Sequence, residues 1–212
     1  MVSKEIQASD TVRRHYNRFA PLYDLMEGLI EGSRFRQWRR LLWSKIEGVN
    51  ILEIGVGTGR NFSYYPQPAE VTAIDLSEGM LRRARDKVLK DSVRVRLLLM
   101  DSQSLGFRDN TFDSAVATMV FCSVADPIRG LMEVARVINP GGKLVLIEHV
   151  LSANRIMAWL MNLANPLALG IVGDNINRKT VENVVKSGLV LEKVTDLSAG
   201  VFKLIEARKS LP

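Results

Sequence analysis

In the stretch ILEIGVGTGRNF, from Ile51 to Phe62, an apolar run of β-forming residues meets three alternating glycines, Gly55, Gly57 and Gly59. A buried strand that ends in such a turn lets the chain reverse tightly and admits a ligand against bare backbone. The reading places a helix from Thr58 onward, with its first N–H groups facing that ligand.

Outward from this turn, apolar strands alternate with helical segments. VNILEIG (49–55), EVTAID (70–75), VRVRLLLMD (93–101), FDSAVATMVF (112–121) and KLVLIEHV (143–150) read as five strands. Their nearly continuous apolar character predicts burial on both faces and a mainly parallel sheet. SEGMLRRARDKVLK (77–90), which Ser77 can cap, and DPIRGLMEVARVIN (126–139), stopped by Pro140-Gly141-Gly142, read as amphipathic helices. The tail reads as helix, strand, strand, which predicts an antiparallel last strand. Residues 3–47 read as helical, with breaks near Ala20-Pro21 and Gly32.

In a doubly wound sheet, ligands bind at the carboxyl ends of the strands where the strand order reverses. The second strand ends in Asp75, placed to accept bonds from ribose hydroxyls, and the third in Asp101-Ser102, placed to meet an adenine amino group. The glycines follow E-x-G-x-G-x-G rather than the G-x-G-x-x-G of dinucleotide sites, and no Walker lysine is present. Glu53, read as a carboxylate facing the crevice, suits a sulfonium and an ammonium better than a diphosphate. The pattern favours S-adenosylmethionine as cofactor.

Bulk properties narrow the alternatives. The chain has 212 residues, 47% hydrophobic and 25% charged, ordinary for a folded protein. MVSKEIQASD lacks the apolar core of a secretory signal. Cys122 is the single cysteine and the histidines are His15 and His149, so no internal disulfide and no metal site are expected. A net charge of +6 permits nucleic acid or an anionic membrane surface as partner. No Asn-Pro-Pro-aromatic or Asp-Pro-Pro-aromatic motif follows the fourth strand, where TMVFCSV stands, which argues against nucleic acid.

LEIGVGTG, AIDLSEGML, MDSQSLGFRDNTFDSAVATMVFCSV and EVARVINPGGKLVLIEHV, in that order, resemble the class I S-adenosylmethionine-dependent methyltransferases. The resemblance implies an α/β, Rossmann-like seven-stranded sheet of order 3-2-1-4-5-7-6, strand 7 antiparallel, with helices on both faces. The pattern along the chain places a helical N-terminal cap over residues 1–48, which offers a membrane contact, and a methyltransferase domain over 49–212 with a substrate-side helical insert at 154–174. Gly55, Gly57 and Gly59 would line the methionine part, Asp75 the ribose, Asp101 and Ser102 the adenine. Leu76 and Met80 would pack near the ring, although Met80 reads equally well as core. The segment YNRFAPLYDLM (16–26) is similar to the N-terminal segment of the ubiquinone and phospholipid branch. There an early tyrosine helps to close the cofactor site; Tyr23 matches it best and Tyr16 is a second candidate.

The methyl acceptor is read from the remaining segments. YDLM, GVGTG and PGGKLVLIEHV resemble bacterial phosphatidylethanolamine N-methyltransferases. GTGRNFSYYP, VFCSV, EHV and GDNINRKT resemble membrane-associated alkyl-thiol methyltransferases, and quinone C-methyltransferases are a more distant third. The basic charge and the N-terminal segment favour a phospholipid over a thiol. In the implied strand order the ends of strands four and five meet, which puts Cys122 and His149 at the acceptor side. His149 is the expected base or headgroup contact. Cys122 is expected to line the site rather than act as a nucleophile, because transfer from a sulfonium needs no enzyme adduct. Arg178 can hold a phosphate by a fork of hydrogen bonds, or cap its own region.

Two segments suggest a lipid surface. Residues 156–173 carry no charge, but Asn162, Asn165 and Pro166 argue against a span, so an interfacial or substrate-covering role is expected. Arg34, Arg36, Arg39 and Arg40 alternate with Phe35, Trp38 and Trp43, which suits a headgroup layer or, alternatively, a cap packed by its tryptophans. The expectation is a cytoplasmic monomer, peripheral at the inner membrane face.

Overall fold

The computed structural model describes residues 9–18, 20, 32–171 and 175–211. Tyr23 and Asp174 lie outside the described residues. Residues 9–18 form helix α1 and Ser33–Trp43 helix α2. There follow β1 (Asn50–Ile54), β2 (Glu70–Asp75), α3 (Glu78–Asp91), β3 (Val95–Leu99), β4 (Phe112–Thr118), α4 (Pro127–Val137) and β5 (Ile138–His149). The chain closes with α5 (Arg155–Ile171), α6 (Thr180–Lys186), β6 (Val190–Ser198) and β7 (Phe202–Arg208).

One seven-stranded sheet runs β3-β2-β1-β4-β5-β7-β6. The pairings from β3 to β5 are parallel, and β7 is antiparallel to both β5 and β6. This is the order and the sense implied by the resemblance. The alternation of side chains along each strand divides the core into two layers. Leu52, Ile54, Ala115, Ala117, Leu144, Leu146, Ile205 and Ala207 face α4 and α6 through Leu131, Val134, Val137 and Val184. Ile51, Val71, Ala73, Val116, Val145, Ile147 and Leu204 face α2 and α3 through Leu42, Trp43, Leu81 and Ala84.

Local chemistry sets the helix ends. Ser77 caps α3 by accepting the Met80 N–H, and Asp126 caps α4 by accepting the Arg129 N–H, with Pro127 in the first turn. Helix α4 stops at Val137, earlier than the expected Pro140-Gly141-Gly142, because Ile138 is already extended and pairs with Phe112.

The helix expected from Thr58 onward does not form. Gly55, Gly57 and Gly59 all have positive φ, and only a 3-10 turn at Phe62–Tyr64 follows, ending at Tyr65. Pro66 holds Tyr65 extended, at ψ 126°, and blocks further helix.

The tryptophans of α2 take the packing role. Trp43 is buried in the core, and Phe35, edge-on, and Trp38, tilted, pack against Phe202 at ring distances of 5.7 and 5.3 Å. Arg39 is buried and hydrogen-bonds to Asn61, whereas Arg34, Arg36 and Arg40 are exposed. The expected basic stripe is therefore three arginines, not four.

Candidate active site

The carboxyl ends of β1, β2, β3 and β4 open into a crevice. Its wall contains Gly55 and Gly57 after β1, Asp75 and Leu76 at the end of β2, Met80 on α3, and Asp101 with Ser102 after β3. Tyr16 of α1 lines it too. Ser9 and Gln103, 94 residues apart in sequence, thus meet at one edge of the sheet.

Asp75 organises the floor. Its carboxylate accepts the Gly57 N–H at 2.8 Å and the Ser77 N–H at 2.8 Å. Burial pushes its pKa up to about 6, against the lowering effect of N–H bonds from Ser77, Gly57 and Leu76. Each carboxylate oxygen retains capacity for a further donor, which is what a vicinal diol supplies. At Gly57 a side chain would meet nothing within 4 Å, so the bare backbone there looks into open space. Asp101 accepts the Gln103 N–H at 2.9 Å and the Gln103 side-chain amide at 3.0 Å.

Two expected cofactor residues lie elsewhere. Glu53 does not line the crevice. It has the strand parity of Ile51, so its side chain points to the α2–α3 face, where Asn61 donates to it at 2.6 Å and the Tyr65 hydroxyl also donates to it. Arg39 in turn donates to Asn61 at 2.8 Å. Asn61 further donates to Thr118, a residue of the crevice wall, at 3.2 Å. Glu53 therefore shapes the glycine loop from beneath. Burial raises its pKa to about 7, although the bonds from Tyr65 and Asn61 and the charge of Arg39 oppose the rise. Gly59 also lies off the wall. A Cβ there would come within 2.3 Å of the Phe62 ring, so its bareness serves packing.

The expected acceptor-side residues are likewise off the wall. Cys122 is buried, and its carbonyl accepts the Asn175 N–H at 3.0 Å and Arg178 Nε at 3.3 Å. Arg178 also donates to the Val124 carbonyl at 2.7 Å. Its fork holds the loop after β4 instead of presenting itself to a phosphate. The His149 ring stands edge-on to Phe202 at 5.1 Å and bonds to the Ile176 carbonyl. Burial lowers its pKa below the usual histidine value, which keeps it neutral near pH 7.

Several wall residues carried no sequence signal of their own. Gln103 bonds Asp101, Ser9 of α1 and the Asp126 N–H that starts α4, and so joins three elements at the adenine end. Ser9, Val12 and Tyr16 recur at helical spacing and roof the crevice. The Asn17 side-chain oxygen accepts the Gly79 N–H at 2.9 Å and the Ser77 hydroxyl at 2.7 Å, which docks α1 on the start of α3. Glu148 accepts the N–H groups of Val120 and Phe121, both at 2.9 Å, and shapes the end of β4. Met119 there has φ 58°, a strained value for a residue with a side chain.

A crevice with a hydrogen-bonded carboxylate at the second strand end, a second carboxylate at the third and an open glycine after the first fits an adenosine. The methyltransferase domain family matches residues 52–146. A phosphatidylethanolamine N-methyltransferase of Cereibacter sphaeroides is 39% identical over 142 residues, covering 66% of this chain and 68% of that protein. A ubiquinone/menaquinone biosynthesis C-methyltransferase UbiE of Syntrophotalea carbinolica is 28% identical over 100% of this chain and 99% of its own length. Among solved structures, the [4+2]-cyclase SpnF superposes with a TM-score of 0.78 at 19% identity, covering 96% of this chain and 97% of that one. An S-adenosylmethionine-dependent methyltransferase of Thermotoga maritima, described as a possible histamine N-methyltransferase, superposes at 0.71 with 20% identity, covering 93% and 99%. At these identities the superpositions show the fold alone. The chain belongs to the class I S-adenosylmethionine-dependent methyltransferases. Its cofactor is S-adenosylmethionine.

Proposed function

We propose that the enzyme methylates the amine of a lipophilic acceptor, with phosphatidylethanolamine as the leading substrate. The carrying observation is the 39% identity to a phosphatidylethanolamine N-methyltransferase over two thirds of both chains. The net charge of +6, suited to an anionic lipid surface, supports it.

In this reading Asp75 holds the ribose hydroxyls, and Asp101 with Ser102 and Gln103 lines the adenine end. Leu76, Met80 and Met100 supply the apolar flank of the purine. When bound, S-adenosylmethionine supplies a methyl group on a sulfonium, already activated for displacement. The work left to the chain is alignment and exclusion of water. Helix α1 covers the crevice through Ser9, Val12 and Tyr16, and the loop at 118–125, held by Glu148 and Arg178, forms its acceptor side. Among the described wall residues the ionisable side chains are Asp75, Asp101 and Tyr16.

A quinone-precursor carbon is the second reading, favoured by the end-to-end match to a C-methyltransferase. An alkyl thiol is the third. Transfer of labelled methyl to phosphatidylethanolamine micelles, alkyl thiols and quinol precursors, assayed in parallel, tests them. Labelled mono- or dimethylated lipid is the expected product, and labelled quinol or thioether with unlabelled lipid overturns the leading reading.

A further inference from the structure

We propose that helix α5 seats the enzyme on an anionic bilayer, lying in the surface with its outer face among the acyl chains. The proposal rests on the reading of a lipophilic acceptor, and its physics is that of the helix itself. Ile156, Trp159, Leu160, Leu163 and Leu167 recur at helical spacing and share one face. Ile156 is 75% exposed, Trp159 63%, Leu163 67% and Leu167 68%. The opposite face carries Ala158, Met161, Asn165 and Ala168, and of these Met161 is buried.

Unlike an ordinary surface helix, which turns its apolar residues inward, this one carries its largest apolar residues on the outside. Its amides are spent on the protein. Asn162 accepts a bond from Asn177 at 2.9 Å, and Asn165 donates to Asn175 at 3.5 Å. No charged residue follows Arg155 within the helix. An apolar ridge of this extent on the outside marks a surface meant to be covered.

Length and charge select the covering. At 1.5 Å per residue α5 is about 26 Å long, short of the roughly 30 Å hydrocarbon core, and Pro166 interrupts its ladder. Among the described residues no helix is long and apolar enough to cross a membrane. A helix lying in the interface needs cations at the headgroup level and an aromatic at the boundary. Arg155 opens α5, and Trp159 follows one turn later. Exposed Arg34 and Arg36 flank Phe35, which packs edge-on against Phe202; the backbone of Phe202 pairs with His149, six residues before α5. The cations and the apolar ridge therefore share the sheet end that carries the crevice, and a bilayer contact there presents the crevice mouth to lipid.

The test uses the full chain and vesicles of phosphatidylcholine with phosphatidylglycerol, free of phosphatidylethanolamine. The protein is expected to float with these vesicles at low salt. The pair Leu163→Glu and Leu167→Glu should cut the bound fraction at least about tenfold while S-adenosylhomocysteine affinity stays unchanged. Brominated acyl chains should quench tryptophan emission in the native chain and not in Trp159→Phe. Unchanged flotation of the double variant, or equal quenching in Trp159→Phe, overturns the proposal. So does a native dimer, seen without lipid by sedimentation and abolished by the same pair, since a second copy would then cover the ridge. Methyl transfer to micellar phosphatidylethanolamine separates the two readings. Flotation without transfer supports the bilayer contact and removes the acceptor; transfer without flotation does the reverse.

Discussion

The carboxylate of Asp75 accepts the backbone N–H of Gly57 at 2.8 Å, so the end of one strand and the turn after its neighbour are a single unit. The residue expected to hold the ribose also shapes the glycine turn. Asp75→Ala should therefore weaken S-adenosylhomocysteine binding roughly 10- to 100-fold, as loss of one or two charge-assisted bonds implies. Titration calorimetry reads this, and unchanged affinity would remove Asp75 from the ribose.

The pH dependence of binding follows from the same residue. Hydroxyl donors favour the ionised carboxylate, and the pKa of Asp75 in the free protein is raised to about 6. Affinity should fall as pH drops below about 6. In Asp75→Asn it should be weak and flat across that window, and an Asn variant that kept the native pH profile would contradict the assignment.

Gly57 and Gly59 should separate affinity from stability. Gly57→Ala places a methyl at φ 55° in open space on the crevice wall. It should weaken ligand binding with a stability loss of only about 1 kcal/mol. Gly59→Ala drives a methyl to within 2.3 Å of Phe62. It should cost roughly 2–4 kcal/mol of stability from overpacking and left-handed strain. Urea denaturation beside calorimetry distinguishes them, and identical profiles would show that the two glycines do one job.

Glu53 predicts how stability depends on pH. Its folded pKa is raised, to about 7 from 4.5, so the folded chain holds the proton more tightly than the unfolded one. The resulting stabilisation is complete below the unfolded value and is lost as pH rises through about 7. The melting temperature of ligand-free protein should fall between pH 5 and pH 8, and Glu53→Gln should flatten most of that slope. Asp75 leaves a residual slope of the same sign below about pH 6, and His149, held neutral by burial, a smaller slope of opposite sign below its unfolded value. A native profile that rises with pH across this window would refute the account.

His149 stands outside the crevice wall and packs on Phe202. His149→Ala should lower stability by about 1–2 kcal/mol through the lost ring contact and hydrogen bond. S-adenosylhomocysteine affinity should be unchanged and turnover should change less than about threefold, or about 0.7 kcal/mol of barrier. A larger fall in turnover at unchanged stability would return His149 to the chemistry.

The chain by itself determined the frame. Apolar runs separated by capped amphipathic segments dictate strands and helices, and glycines and carboxylates at strand ends mark Gly57, Asp75 and Asp101, because these signals lie within a few residues of one another. Other destinations depended on packing between distant segments. Glu53 alternates away from the crevice, but that Asn61, Tyr65 and Arg39 receive it beneath the glycine loop follows only once α2 lies on the sheet. Gln103 and Ser9, 94 residues apart, meet because β3 and α1 converge on one edge. The four arginines of α2 look alike in sequence, yet only the burial of one face sends Arg39 inward. The apolar content of α5 was plain, but the direction of its ridge was not. Asn162 and Asn165 turn their amides to the loop at 175–177, and that contact, which needs the chain to fold back on the helix, leaves the leucines outside.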